Sequence, residues 1–300
     1  MADVTGNEIL ARCLKAQGVK DAFFIMGGPM LDAESCCIKE GIRLIDTRHE
    51  QGAAYMAQAY SRVTQGPGVC MAASGPATLN LGTGLANALI DCCPVIALGG
   101  SSPISQFGRQ VFQEIDQVKA MEGWVKYADR VNNVKRIPQQ VNFAFQKALN
   151  GKPGPVYLDF PGDVLYAKTP EDQVDWSYMG RPIVKARPYA EPSAINALVD
   201  AIKSAKRPII CSGGGVLWSH AWDEMKAFVE KAGIPFYTTP QGRGVVPDDH
   251  PLSYLTMRST AFRDADLIIV LGTRMNYVIA HAAPPRFNKD AKIEIGRAHV

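Results

Sequence analysis

Hydrophobic and polar positions along the chain follow two alternating periods. Short, mostly apolar runs recur, each ending in small residues or a Gly-Pro turn. Residues 22–25, 43–46, 69–73 and 95–98 read as strands, and 155–161 reads as one more. Between them the spacing turns helical. Ile9, Leu10, Cys13 and Leu14 share one face behind a Thr5/Glu8 capping box, and Gly18 ends that helix. A short helix precedes 43–46, residues 51–62 form an alanine-rich helix, and residues 78–90 form another. Apolar strands alternating with helices predict a parallel sheet covered on both faces.

The rhythm breaks in a polar stretch spaced by Pro170, Pro182, Pro188 and Pro192. It predicts a linker over 168–191 between a domain at 1–167 and a second at 192–300. The second repeats the pattern: helix 193–204, strand 208–211 running into Ser212-Gly213-Gly214-Gly215, helix 221–232, strand 235–238, and strand 267–271 ending in Gly272-Thr273-Arg274. The expected fold class is α/β, with two doubly wound parallel-sheet domains, the second Rossmann-like. Residues 292–295 open a last strand that no helix follows. Residues 294–300 match the translation of a common sequencing adapter. The expectation is that the native sequence ends near Ile293 and that a further domain is missing.

Composition narrows the partners. A length of 300 residues is a soft prior for about two domains. The net charge of +3 is small for this size and gives no reason to invoke nucleic acid or an anionic membrane. No apolar run approaches the roughly 18 residues of a spanning helix. The first residues lack the basic and apolar regions of a signal peptide. The seven cysteines include no Cys-x-x-Cys pair, so buried thiols in a cytoplasmic protein are expected and a metal site is not.

The chemistry centres on Arg48-His49-Glu50-Gln51-Gly52-Ala53-Ala54 and Gly68-Val69-Cys70-Met71-Ala72-Ala73-Ser74-Gly75-Pro76. One carboxylate, Glu50, follows an apolar strand, and a second strand ends in a small-residue loop. Glu50 has two readings. It is a glutamate favoured by a helix N-terminus, or a general acid/base in a cleft at the carboxyl ends of parallel strands. Apolar surroundings would let it share a proton with a ring nitrogen. The small residues Gly52, Ala53, Ala54, Ala57 and Ala59 suit close helix packing, within one domain or across a subunit interface.

Residues from Val4 to about Ile293 resemble the first two domains of thiamine diphosphate enzymes of the acetolactate synthase, 2-hydroxyacyl-CoA lyase and oxalyl-CoA decarboxylase group. The resemblance rests on Arg48-His49-Glu50-Gln51, Ser74-Gly75-Pro76 with Asn80, Ala86-Asn87-Ala88, Phe112-Gln113-Glu114, Gly151-Lys152-Pro153-Gly154-Pro155-Val156 and Arg207-Pro208, in that order. It implies that Glu50 bonds the pyrimidine N1′ of the cofactor and triggers ylid formation, with the cofactor as electron sink. It further implies that Gly27 and Gly28 lie beside the aminopyrimidine, that Gly75, Pro76 and Asn80 lie near that ring, and that Phe112 and Gln113 lie near the reacting carbon. Ala77 departs from the family, which often has glycine there; its methyl is expected to shift the loop.

Within the group, Gly99-Gly100-Ser101-Ser102, Gly272-Thr273-Arg274-Met275-Asn276-Tyr277 and Pro284-Pro285-Arg286-Phe287 resemble the acyl-CoA branch. Phe112-Gln113-Glu114 resembles the lyases and acetolactate synthases. The intersection favours a 2-hydroxyacyl-CoA lyase-like C–C lyase or carboligase, with an acetolactate synthase catalytic subunit as the alternative. In the second domain Gly213, Gly214, Gly215, Gly272 and Arg274 are expected to hold an adenine nucleotide, ADP ahead of FAD, through backbone amides and a guanidinium; the competing reading is plain turns. The Gly-Asp-Gly…Asn motif for diphosphate and Mg2+ is absent from these 300 residues. The chain is therefore expected to hold the pyrimidine half of the site. The resemblance implies a homodimer or homotetramer acting on a 2-keto acid or a 2-hydroxyacyl-CoA. A reading from another class is a nucleotide-binding module without catalysis.

Overall fold

The computed structural model describes residues 2–184 and 188–296. It divides into two compact units, Met1–Ala186 and Arg187–Val300, each with its own parallel sheet.

The first unit begins with β1 (Asp3–Thr5) and α1 (Gly6–Ala16). The expected capping box forms: Thr5 N–H donates to Glu8 Oε2 at 2.7 Å, and Glu8 N–H donates to Thr5 Oγ1 at 3.3 Å. Then come β2 (Asp21–Phe24), α2 (Leu31–Lys39), β3 (Arg43–Asp46), α3 (Glu50–Thr64), β4 (Gly68–Ala72), α4 (Pro76–Asn80), α5 (Gly82–Asp91) and β5 (Val95–Ser101). The unit closes with α6 (Gln117–Met121), β6 (Tyr127–Arg130), α7 (Ile137–Leu149), β7 (Val156–Pro161), α8 (Gly162–Leu165) and β8 (Lys168–Pro170). Six strands form one parallel sheet in the order β3-β2-β4-β5-β7-β6. Every residue of β4, β5 and β7 is buried, which explains their largely apolar runs. The order reverses between β2 and β4, where doubly wound sheets open a crevice.

Two readings from the pattern change, and a third that was left open gains a packing role. The expected helix 78–90 is two helices, separated by a tightened turn in which Leu81 N–H donates to Thr78 O at 3.0 Å. The start of the expected linker is packed structure. β8 pairs antiparallel with β1, and Val174 is buried in the first unit's core, so 168–174 belongs to that unit. The alanine run serves packing inside the unit. Ala53, Ala54 and Ala57 are buried, and a Cβ on Gly68 or Gly84 would strike Ala57 O at 2.0 Å or Ala54 Cβ at 2.5 Å.

The second unit contains α9 (Pro192–Ser204), β9 (Pro208–Ser212), α10 (Gly214–Trp218), α11 (Trp222–Ala232), β10 (Phe236–Thr238), α12 (Arg258–Asp264), β11 (Leu267–Leu271) and β12 (Lys292–Gly296). Its four strands are parallel in the order β10-β9-β11-β12, again with a reversal beside the first strand. Separate apolar clusters cover the two faces, one around Ile210, Val229 and Ile269, the other around Ile209, Phe262 and Ile268. Of the adapter-like tail, residues 297–300 lie outside the described residues.

Candidate active site

The carboxyl ends of β2, β4 and β5 deliver three loops to one place, the one after β5 being the longest. They line a cleft of about 800 Å³ that includes Gly27, Gly28, Ala73, Ser74, Ser101, Ser102, Phe112 and Gln113. Small residues are a steric requirement here. A Cβ on Gly27 would meet Ala73 Cβ at 2.6 Å, and a Cβ on Gly100 would meet Pro29 Cδ at 2.4 Å. Around Gly28 the space is open. Ser102 is buried, and its hydroxyl has no hydrogen-bond partner among the described residues.

Glu50 opens α3, where the macrodipole favours a carboxylate. His49 caps the same helix, its Nδ1 accepting from Gln51 N–H at 3.1 Å. Asn80, at the last position of α4, donates through Nδ2 to Glu50 Oε2 at 3.0 Å. Glu50 is half-buried and Asn80 is exposed. The expected apolar enclosure of Glu50 is therefore not supplied by the described residues. Glu50, Gly75, Pro76 and Asn80 do not line the cleft; they form a second group beside it.

Gly75 joins the two groups. It caps α4 with φ +58 and ψ −117, a conformation reserved for glycine. A Cβ there would strike Gln113 O at 2.4 Å. Next to it, Ser74 Oγ donates to Gln113 Oε1 at 2.9 Å, which turns the Gln113 amide nitrogen away from Ser74. Phe112 is 84% exposed, so the core-packing reading of that ring fails. The loop carrying both residues is tied by Glu114, whose carboxylate accepts from Gly108 N–H and from Val111 N–H at 3.1 Å. These bonds hold the Glu114 carboxyl below its ordinary range. Pro76 is the first residue of α4. Ala77 lies within the same helix at negative φ, so its methyl strains no backbone.

Beneath the loops lies a buried polar cluster that the motifs did not point to. Asp159 is fully buried in β7 and accepts from Tyr157 OH at 2.7 Å, Ser101 Oγ at 2.8 Å, Gln117 Nε2 at 2.7 Å and Arg130 Nε at 2.7 Å. Burial, and then the Asp159 charge, push the Tyr157 phenol far up. Gln117 Oε1 accepts the Gly75 N–H. The signal in the sequence was a single aspartate inside Val156-Tyr157-Leu158-Asp159-Phe160, since a charge in a buried strand needs partners.

The second unit brings only some of the residues of the nucleotide expectation to one cavity. Gly215 and Gly272 line a cavity of about 340 Å³ whose walls are largely apolar, with Val216, Met225, Phe228 and Leu271 beside Glu224. Gly213, Gly214 and Arg274 do not line it. Two of the expected amides are already used: Gly213 N–H donates to Leu271 O at 2.9 Å, and Gly215 N–H to Gly272 O at 2.8 Å. The glycines have a packing reason, because a Cβ on Gly213 would strike Thr273 Cβ at 2.4 Å and one on Gly272 would strike Val216 N at 2.7 Å. An apolar wall next to a carboxylate is a poor phosphate cradle.

Comparison with known proteins agrees with the first unit. Residues 4–120 match the family model described as thiamine pyrophosphate enzyme, N-terminal TPP binding domain, and residues 195–299 match that of the central domain. 2-Hydroxyacyl-CoA lyase 1 of Homo sapiens is 35% identical over 289 residues, spanning 96% of this chain and 50% of the relative. Oxalyl-CoA decarboxylase of Escherichia coli (strain K12) is 34% identical over 282 residues, 92% of this chain and 49% of the relative. The probable acetolactate synthase large subunit of Methanocaldococcus jannaschii is 35% identical over 279 residues, 90% of this chain and 47% of the relative. The chain thus spans about half the length of these relatives. With both domain models matched in order, the chain belongs to the thiamine pyrophosphate enzyme family.

Proposed function

We propose that the first unit is the pyrimidine half of a thiamine diphosphate site, in an enzyme that cleaves or forms a C–C bond next to a carbonyl. The observation that carries this reading is Glu50 at a helix N-terminus, held by Asn80. The residues fit a flat heteroaromatic ring. Gly28 leaves open space for close backbone approach, Gly27 and Gly75 let the loops pack tightly on Ala73 and Gln113, and the Ser102 hydroxyl is available as a partner. When bound, the cofactor would supply an electron sink for the carbonyl carbon. Glu50 would hold a proton at a ring nitrogen, Asn80 would fix its carboxylate, and Gln113 would present its amide nitrogen to a substrate oxygen.

The 2-hydroxyacyl-CoA lyase reading stands ahead of acetolactate synthase, supported by the Gly99–Ser102 and Pro284–Phe287 segments. The substrate class is then a 2-hydroxyacyl-CoA, with a 2-keto acid as the alternative. The diphosphate and Mg2+ would be held by sequence outside these 300 residues. The partly exposed Glu50 supports completion of the site by a second subunit, in a homodimer or homotetramer, and Tyr55 and Met56 on α3 are exposed apolar residues suited to such a contact. For the second unit, ADP or FAD remains a proposal that the apolar cavity does not favour. None of the seven cysteines is in a disulfide, which supports a cytoplasmic setting.

The test is exchange of the cofactor's C2 proton in the full-length protein that contains this chain. Glu50→Gln is expected to slow it by about two orders of magnitude or more. Unaltered exchange and turnover would overturn the reading. Retained ADP or FAD binding with no affinity for thiamine diphosphate would favour the non-catalytic module instead.

A further inference from the structure

The buried cluster under the cleft has one member that reaches the loops. Gln117 is 1% exposed. Its Nε2 carries two hydrogens for three acceptors within reach, Asp159 Oδ1 at 2.7 Å, Tyr157 OH at 2.8 Å and Gly100 O at 2.9 Å, so one hydrogen is shared. Asp159, saturated by four donors and paired with Arg130, is an acceptor only. The Gly100 carbonyl is an acceptor only as well. These partners dictate which way the amide lies. Its nitrogen must face the carboxylate and the carbonyl, so its oxygen must face the other way, onto the Gly75 N–H. A flipped amide would set oxygen against carboxylate and NH2 against N–H.

Gly75 has little else to hold it. It caps α4 without a side-chain cap, in a conformation that only glycine takes, pressed against Gln113. Its carbonyl accepts Leu79 N–H at 3.0 Å, so the loop and α4 move as one piece. That piece ends at Asn80, whose amide meets Glu50. The path from Asp159 to Glu50 therefore runs through Gln117, Gly75, α4 and Asn80 in four bonded steps.

We propose that Gln117 is a positioning residue: its buried amide, oriented by Asp159, sets the Gly75 loop and thereby the placement of Asn80 against Glu50. The functional consequence rests on the thiamine reading of Glu50. The structural coupling does not, and it is tested without cofactor.

The experiment is amide hydrogen exchange with mass spectrometry on this chain, combined with carbodiimide labelling of Glu50. Gln117→Met removes both polar ends. Exchange in the peptide spanning 73–81 is expected to rise by at least about tenfold, with 95–101 and 156–161 changed by less than about twofold. Glu50 labelling is expected to rise several-fold. Gln117→Glu gives an independent reading if the methionine variant does not fold. Protonated, the new carboxyl imitates the amide, donating to Asp159 and accepting from Gly75. Ionised, it faces Asp159 as a like charge. Near pH 5 its exchange over 73–81 should match the parent chain, and near pH 8, after correction for intrinsic rates, it should be at least about tenfold faster. Unchanged exchange over 73–81 in Gln117→Met overturns the proposal. So does equal acceleration over all three peptides, which would make Gln117 a general stabiliser. Faster exchange with unchanged Glu50 labelling overturns the link to Glu50. A pH-independent Gln117→Glu variant overturns the role of Asp159. A failure of the cofactor reading alone leaves each of these results intact.

Discussion

Asn80 at the end of α4 and Glu50 at the start of α3 meet through one hydrogen bond of 3.0 Å, 30 residues apart in sequence. The pair is open to solvent on the Asn80 side. An exposed bond of this kind contributes about 1 kcal/mol or less to folding. Asn80→Ala is therefore expected to change unfolding free energy by less than about 1 kcal/mol while slowing C2 exchange of bound thiamine diphosphate by about tenfold. Denaturant titration and exchange monitored by NMR check the two halves. A large stability loss with normal exchange would show that the pair is only structural.

Gly75→Ala addresses the joint between the two loop groups. The new methyl meets positive φ and the Gln113 carbonyl together. A cost of about 2–4 kcal/mol in unfolding free energy is expected. Gly28→Ala is the contrast, because nothing lies within 4 Å of the added carbon. Its cost should stay below about 1 kcal/mol.

Glu34 provides a pH signature. It is 3% exposed, and neither carboxylate oxygen has a hydrogen-bond partner among the described residues. Burial, and then the Asp46 charge, push its carboxyl up to about 7. A folded value raised above the unfolded one means that the native state holds the proton more tightly. The contribution of Glu34 is therefore fully present below about pH 4.5 and is lost as pH rises through about 7. Glu34→Gln should remove that loss. It is expected to gain up to about 3 kcal/mol over the parent chain near pH 8 and little near pH 4.5. Equal effects at both pH values would contradict the assignment.

The thiols separate into two classes. Burial pushes Cys13, Cys37, Cys70, Cys93 and Cys211 up to about 12. Cys36 and Cys92 are only half-buried. With an aromatic disulfide reagent at neutral pH, Cys36 and Cys92 should react first and the other five only on unfolding. The same shifts predict alkaline weakening. Stability is present below the unfolded thiol value near 9 and declines as pH climbs toward 12.

The alternation of apolar strands and helical stretches determined the α/β class, and it placed most elements within a few residues. It did so because buried strands and amphipathic helices carry their periods locally. Glu50 stood out from the strand and helix pattern around it, whereas Gly75, Asn80, Phe112 and Gln113 entered only through the resemblance of their motifs to the thiamine diphosphate enzymes. The short strands β1 and β8 were not legible, because each is only three residues long and exists through pairing with the other across more than 160 positions. Gly213, Gly214 and Gly215 looked like a phosphate loop, yet the tertiary contacts spend two of their amides on Leu271 and Gly272 carbonyls. Gln117 and Asp159 showed least of all. Their meaning is a direction, which way one amide faces, and only the fold that brings Gly75, Gly100 and Asp159 around it decides that.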